Sequence, residues 1–118
     1  MKTAEERRNM PFVFSDDAEL CDLGEGVKRK ILSFGDELML AEVHFEEGAE
    51  GSMHSHPHAQ TTYVLSGEFE FTIDGRTKIV KKGDTMYDAP NVLHGCRCLK
   101  AGVLLDAFSP AREDFVHI

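Results

Sequence analysis

The sequence predicts an all-β protein, an antiparallel sandwich or barrel in a single domain. Three observations carry this. From residue 11 onward short apolar or alternating runs follow one another, a turn signal separates each pair, and no amphipathic helix stands between them. At 118 residues the chain is long enough for one substantial core and too short for two. We expect an N-terminal arm over 1–20, the barrel over 21–110 and a C-terminal tail over 111–118.

The charged first ten residues, MKTAEERRNM, are one of two helical candidates. VKRKILSF is the first predicted strand, and Gly35-Asp36 turns it into ELMLAEVHF. GSMHSHPHAQ follows, with its His-x-His pair read as extended, and then TTYVLSGEFEFTI, which Gly67 interrupts. Asp74-Gly75 makes a tight hairpin into RTKIVKK; Asp-Gly between alternating runs is the strongest short-range hairpin signal. Lys82-Gly83 turns into DTMYD. LHGCRCL passes through Ala101-Gly102 into VLLDAF, and AREDF is the second helical candidate.

Two of these strands are apolar on both faces. In LMLAEVHF, Leu38 and Leu40 take one side while Met39, Ala41, Val43 and Phe45 take the other. In VLLDAF, Val103, Leu105 and Ala107 oppose Leu104 and Phe108. A half-exposed strand alternates with polar residues, so a second subunit is expected to cover the outer face. The expectation is a homodimer, with PFVFSDDAEL available to cover an edge strand. Coverage by the chain's own termini is the competing explanation.

A formal net charge of -8 argues against nucleic acid and anionic membrane surfaces as partners. No window reaches the apolar length of a membrane-spanning helix, and the N-terminus has no apolar signal region. Cys21, Cys96 and Cys98 are odd in number and lack a disulfide-framework spacing, which places the protein in the reducing cytoplasm.

The chemistry concentrates in two segments. His54, His56 and Gln60 lie in GSMHSHPHAQ, and His94 ends GDTMYDAPNVLH. A His-x-His pair on a strand presents both imidazoles to one face, because strand side chains alternate with a period of two. One further imidazole and one amide oxygen complete a four-ligand transition-metal site. Pro57 breaks the strand before His58, which is expected outside the ligand set or exposed. Cys96 and Cys98 share the parity of His94 and are expected deeper in the same cavity, packing rather than ligating: a one-residue gap is not the usual zinc spacing.

Gly48-x5-His54-x-His56-x3-Gln60-x6-Gly67 has the spacing of the first cupin motif, with Gln where cupins usually carry Glu. Gly83, Pro90 and His94 resemble the second motif, although Pro90 sits one position late and the inner Gly is absent. VKRKIL, HSHPHAQTTYVLSGEFEFTIDG and GVLLDAFSPAREDF resemble the KdgF type of small cupin from about Asp22 onward. The resemblance implies a double-stranded β-helix, a jelly-roll-like antiparallel barrel. It implies a divalent metal (Mn, Fe, Ni or Zn) on His54, His56, Gln60 and His94, and catalytic or substrate-contacting roles for Asp106, Phe108 and Arg112. The implied reaction is ring opening of 4,5-unsaturated monouronates from pectin or alginate to linear 4-deoxy-5-keto-uronates. Ala59 and Asp88-Ala89 depart from the pattern: the first stands where an acidic residue is expected, the second where an apolar residue usually precedes the proline.

These residue types suit that chemistry. Opening the cyclic hemiacetal needs the anomeric hydroxyl deprotonated, the C1–O bond cleaved and a proton delivered to C4. A divalent ion can hold the carboxylate and the developing enolate oxygen together as Lewis acid and template. Three imidazoles and a neutral amide leave its charge uncompensated, which favours a small anionic sugar acid. Asp106 shares the parity of Leu104 and Phe108, so it faces the interior as candidate general acid/base. A structural Asp bound to backbone amides or to an Arg is the alternative. Arg112 is the candidate clamp for a carboxylate or hydroxyl, or else a surface arginine paired with Glu113 or Asp114. Phe108 is a pocket wall. Tyr63 is expected to point away from the metal, Tyr87 to reach the barrel mouth and Arg97 to face outward.

The competing functions are a cupin dioxygenase, a non-catalytic sugar- or metal-binding cupin and a structural dimer with a vestigial site. Gln60 is a weaker electron donor than a carboxylate, which disfavours the first. The second usually accompanies a helix-turn-helix, which this sequence lacks.

Overall fold

The computed structural model describes residues 2–117. Eight strands form the body: β1 (Leu20–Gly24), β2 (Val27–Phe34), β3 (Met39–Phe45), β4 (Glu50–His54), β5 (Ala59–Ile73), β6 (Arg76–Lys81), β7 (Thr85–Asp88) and β8 (His94–Ser109). Two short helices, α1 (Ala4–Arg7) and α2 (Glu113–Val116), lie in the two predicted helical segments. Every strand pairing is antiparallel, and the order runs β1-β2-β3-β8-β5-β6, with β4 also on β8 and β7 also on β5. This is the all-β, jelly-roll-like barrel that the sequence predicts.

The long strands β5 and β8 pair with each other from Ala59–Ser109 to Ile73–His94. Their outer ends belong to different layers. The N-terminal half of β5 and the C-terminal half of β8 lie among β7, β3, β2 and β1; the remaining halves lie among β4 and β6. The strand breaks expected at Gly67 and at Ala101-Gly102 do not occur. Both strands run through, bent where the two glycines meet, with the register shifting around Ser66 and Glu68. A Cβ on Gly102 would overlap the Ser66 carbonyl, and one on Gly67 (φ +82°) would lie 2.5 Å from the Lys100 oxygen. Bulges bend a ladder without ending it, which a turn signal in the sequence does not distinguish.

Two other departures concern local geometry. Residues Leu20–Gly24 form an edge strand that the sequence pattern did not single out. Strand β4 ends at His54, so His56 sits in the following loop rather than on the strand. The Asp74-Gly75 hairpin forms as expected, with φ of 50° and 76° at its two residues.

The interior divides into two apolar clusters. One gathers Val43, Phe45, Val64, Phe69, Phe71 and Leu104, with Phe45 and Phe69 edge to face at 5.3 Å. Complete burial of a side chain such as Phe69 stabilises the fold by ~2–3 kcal/mol, so this cluster ties the two layers together. The second gathers Ile31, Phe34, Met39, Ala41, Phe108 and Ala111, and Phe115 of α2 packs on it. Arg7 of α1 donates to the Ile31 carbonyl at 2.7 Å, which fastens the N-terminal segment to β2. The outer face of β3, β5 and β8 stays open: Leu38, Tyr63 and Leu65 are exposed there, and Leu40, Val103, Leu105 and Ala107 are half-buried.

Candidate metal centre and active site

His54 closes β4, His94 opens β8, and the two are partners in the β4–β8 ladder. His56 is brought to them by a loop contact. The Asn91 amide donates to the His56 carbonyl at 2.7 Å, joining the His56 loop to the turn that precedes β8. Asn91 adopts φ 67° to make it, a conformation that Asn tolerates better than most residues. The ring centroids of His54 and His56 then lie 4.4 and 4.8 Å from that of His94.

Each imidazole points its Nδ1 at a backbone carbonyl. His54 meets Ser52 at 2.6 Å, His56 meets His58 at 3.1 Å and His94 meets Val92 at 2.9 Å. An Nδ1–H donated to a carbonyl leaves the Nε2 lone pair free, the arrangement that orients metal-binding histidines. One nitrogen from each ring lies within 4.8 Å of the others. His94 Nε2 is buried with no hydrogen-bond partner among the described residues. An orphaned imidazole nitrogen aimed at two others fits a divalent ion and suggests one. His58 contributes its carbonyl, and its half-buried ring stands edge-on to His56, outside the trio.

Gln60, near the start of β5, is buried and extends this set. Its Oε1 lies 3.0 Å from His56 Nε2, and its amide nitrogen donates to Thr62 Oγ1 at 3.0 Å and Asp106 Oδ1 at 3.3 Å. The amide oxygen is therefore on the histidine side and the nitrogen on the Asp106 side. Asp106 faces inward with Leu104 and Phe108, and its partners are the Thr62 hydroxyl and the Gln60 amide rather than backbone amides or an arginine. Burial raises its carboxyl to about 6, with the Asp88 carboxylate adding to the rise and the Thr62 and Gln60 hydrogen bonds opposing it.

These groups open on a cavity of about 170 Å³ lined by His54, Gln60, His94, Cys96, Asp106, Phe108, Arg112, Arg29 and Phe115 among others. Arg112 is buried rather than at the surface: it lines the cavity and grips Asp114 through two bonds of 3.0 and 2.8 Å. Phe108 walls the cavity, with its ring 6.0 Å from that of His56. Cys96 lines the same space and Cys98 packs in the core behind it, and neither belongs to the close histidine group. Burial pushes the Cys96 thiol up to about 12, so it stays protonated. Tyr63 and Arg97 face outward as expected. Tyr87 does not reach the cavity: it alternates with the buried Met86 and Asp88 and is exposed on the outer face.

Three residues of the site escaped the sequence reading. Thr62 stands two positions after Gln60 and so shares its face, the one signal that could have found it. Asp88 is buried beside His94. Arg29 lines the cavity from β2 with its guanidinium 3.6 Å above the Phe115 ring, while Arg112 lies 4.1 Å from the same ring. Among the described residues no carboxylate forms an ion pair with Arg29.

A second histidine–carboxylate group, Glu5, Glu113 and His117, is fully exposed at the surface and tied to Arg8. No helix among the described residues is long and apolar enough to cross a membrane.

Known proteins resemble the chain closely. The Cupin domain family matches residues 41–108. The pectin degradation protein KdgF of Dickeya dadantii is 43% identical over 107 residues, 89% of this chain and 97% of that protein. An RmlC-like cupin from Shewanella frigidimarina superposes with a TM-score of 0.90 at 44% identity, covering 93% of this chain and 99% of that one. KdgF from Halomonas sp. superposes with a TM-score of 0.84 at 32% identity, covering 88% and 96%.

Proposed function

This chain belongs to the KdgF family of cupins, and from that membership we propose that it acts in pectin degradation as a metal-dependent enzyme that opens the ring of 4,5-unsaturated monouronates. The products are linear 4-deoxy-5-keto-uronates. The observation that carries this reading is the join between the two halves of the site. Gln60 faces the histidines with its oxygen and holds Asp106 with its nitrogen, so a proton-transfer group stands directly behind the ligand set.

In this reading His54, His56, Gln60 and His94 hold one divalent ion, of Mn, Fe, Ni or Zn. When bound, the ion supplies positive charge to the substrate's anionic and enolic oxygens. The chain's own residues do the rest. Asp106 takes the proton from the anomeric hydroxyl as the C1–O bond breaks, which leaves an aldehyde and an enolate. It then returns a proton to C4, giving the 5-keto product and restoring the carboxylate. A carboxyl held up to about 6 is suited to both steps near neutral pH. Phe108 offers an aromatic face to the sugar ring. Arg29 and Arg112 receive the uronate carboxylate, Arg29 with its fork free of any acidic partner among the described residues.

We further propose a homodimer formed through the open outer face of β3, β5 and β8, where Leu38, Tyr63 and Leu65 are exposed. Sedimentation of the purified protein tests this. The free thiols of Cys21, Cys96 and Cys98 support a cytoplasmic location.

The deciding experiment follows loss of the substrate's enol absorbance, with product identified by NMR, for lyase-generated unsaturated monouronate in anaerobic buffer. Metal-loaded protein should accelerate the reaction and chelator-stripped protein should not. No acceleration with metal confirmed present would refute the activity, and a requirement for oxygen would transfer the protein to the dioxygenases. The His54→Ala/His56→Ala pair should abolish bound metal by elemental analysis while leaving the barrel folded.

A further inference from the structure

Asp88 ends β7 as the ladder partner of Gln60. Partners across an antiparallel pair rise from the same face of the sheet, so both side chains enter the barrel. Asp88 is 1% exposed, and neither of its carboxyl oxygens has a hydrogen-bond partner among the described residues. A buried carboxylate in that condition is heavily penalised unless a cation or donor compensates it. His94 stands beside it, with Oδ2 3.5 Å from Nε2.

That separation is too long for a good hydrogen bond. It also involves the one nitrogen of His94 that is itself buried and unpartnered. Both atoms are thus buried, adjacent and without a hydrogen-bond partner among the described residues. Metal–donor bonds of about 2.1 Å put neighbouring donors of an octahedral ion roughly 3 Å apart and opposite donors about 4.2 Å apart. The 3.5 Å between Asp88 Oδ2 and His94 Nε2 lies between these limits, while Asp88 stands outside the close group of His54, His56 and His94, so ligation requires its carboxylate to swing further toward the other two rings.

We propose that Asp88 is an anionic ligand of the metal centre, supplying the carboxylate that Gln60 does not. The first cupin motif usually places a Glu where this chain has Gln60. Here the negative charge has moved one strand sideways in the sheet, from β5 to its ladder partner on β7. The site then holds three imidazoles, an amide and a carboxylate, and its net charge with a divalent ion equals that of a Glu-containing cupin. The charge left for substrate is smaller than the neutral set alone would leave, so Arg29 and Arg112 carry more of the anion recognition. The inference rests on the metal centre proposed above.

The test uses full-length protein, stripped and reloaded with Mn(II) or Zn(II), with affinity measured by competition against a chromophoric chelator. Asp88→Asn and Asp88→Ala should each bind metal at least about 10-fold more weakly than wild type. Gln60→Glu combined with Asp88→Asn should recover much of the loss. Thermal melts provide a sign that a merely structural aspartate would not give. Metal-free Asp88→Asn should melt no lower than metal-free wild type, because an uncompensated charge is gone, while added metal should raise its melting temperature less. Affinity within threefold of wild type, or a metal-free variant melting far below wild type, overturns the proposal. Should the variants fail to fold, the Mn(II)-loaded wild-type crystal structure decides, with an Asp88 oxygen bonded to the ion supporting the ligand and one beyond 3.5 Å refuting it. Wild type that binds no metal would sink the metal centre itself and Asp88 with it.

Discussion

Thr62 and Asp106 face each other across the β5–β8 ladder, and the Thr62 hydroxyl donates to Asp106 Oδ1 at 2.6 Å. The same hydroxyl oxygen accepts from the Gln60 amide at 3.0 Å, so one small side chain links Gln60 to Asp106, the proposed ligand to the proposed proton-transfer group. Thr62→Val keeps the shape and removes the donor. Thr62 lowers the Asp106 carboxyl, so its loss should move the acidic limb of the kcat/KM profile to higher pH. We expect a ~10-fold loss of kcat with metal content unchanged. An unmoved pH profile would show that Thr62 only packs.

Asp106→Asn preserves volume but cannot exchange the proton. It should retain metal and slow ring opening by at least about 100-fold, the scale for losing general acid–base help. Turnover near that of wild type would remove Asp106 from the mechanism.

The same carboxyl predicts how stability varies with pH. Its folded pKa of about 6 lies above the reference value of 3.8, burial being the largest cause. Folding therefore favours the protonated form, and this contribution is complete below 3.8 and lost as pH rises through about 6. In metal-free protein, urea unfolding at pH 4.5 and 7.5 should show Asp106→Asn gaining on wild type by roughly 2 kcal/mol at the higher pH. A constant difference between the two proteins would place the carboxyl's pKa at its ordinary value.

Arg29 should act on binding rather than on chemistry. Arg29→Ala removes a charge-assisted contact to the uronate carboxylate, and KM should rise about 10-fold or more with kcat little changed. Arg29→Lys restores the charge without the planar fork and should recover part of the loss. Steady-state kinetics on both variants separate this role from simple packing against Phe115.

The Gly67–Gly102 crossing should tolerate nothing larger. In Gly102→Ala the new methyl meets the Ser66 carbonyl and the Gly67 Cα, both backbone, so no side chain can move aside. A loss of ~3 kcal/mol is expected. Gly75→Ala is the comparison: φ is +76° but nothing lies within 4 Å, so only the conformational penalty of ~1 kcal/mol applies. Equal losses in urea unfolding would contradict the steric account.

How much of the site was legible varies residue by residue. His54, His56, Gln60 and His94 announce themselves by spacing, and they do converge, because a ladder pairs His54 with His94 and one loop hydrogen bond delivers His56. Asp106 was legible from parity alone, since a carboxylate among Leu104, Leu105, Ala107 and Phe108 must face somewhere polar. Asp88 shows why the rest was not. In the sequence it stands out only as a departure from the cupin pattern before Pro90, with no role attached, and only its pairing with Gln60 places it on the inner face of the barrel. Arg29 was hidden likewise among the alternating charges of VKRKIL.

The sequence by itself determined the strand-rich antiparallel class, the hairpin at Asp74-Gly75, the family and the four residues of the histidine–glutamine set. Those follow from local rules, namely side-chain alternation, turn chemistry and motif spacing, which act over a few residues. Only the tertiary structure decided that Gly67 and Gly102 bend two continuous strands instead of ending four. It also decided that Thr62 couples Gln60 to Asp106 and that Arg112 is held by Asp114. Among the described residues it leaves Arg29 free of ion pairs and Asp88 buried beside His94 without a hydrogen-bond partner. Each of these is a contact between residues distant in the chain or a burial that depends on such contacts. Its energy exists only once the ladder register has brought the residues to one place and excluded water from between them.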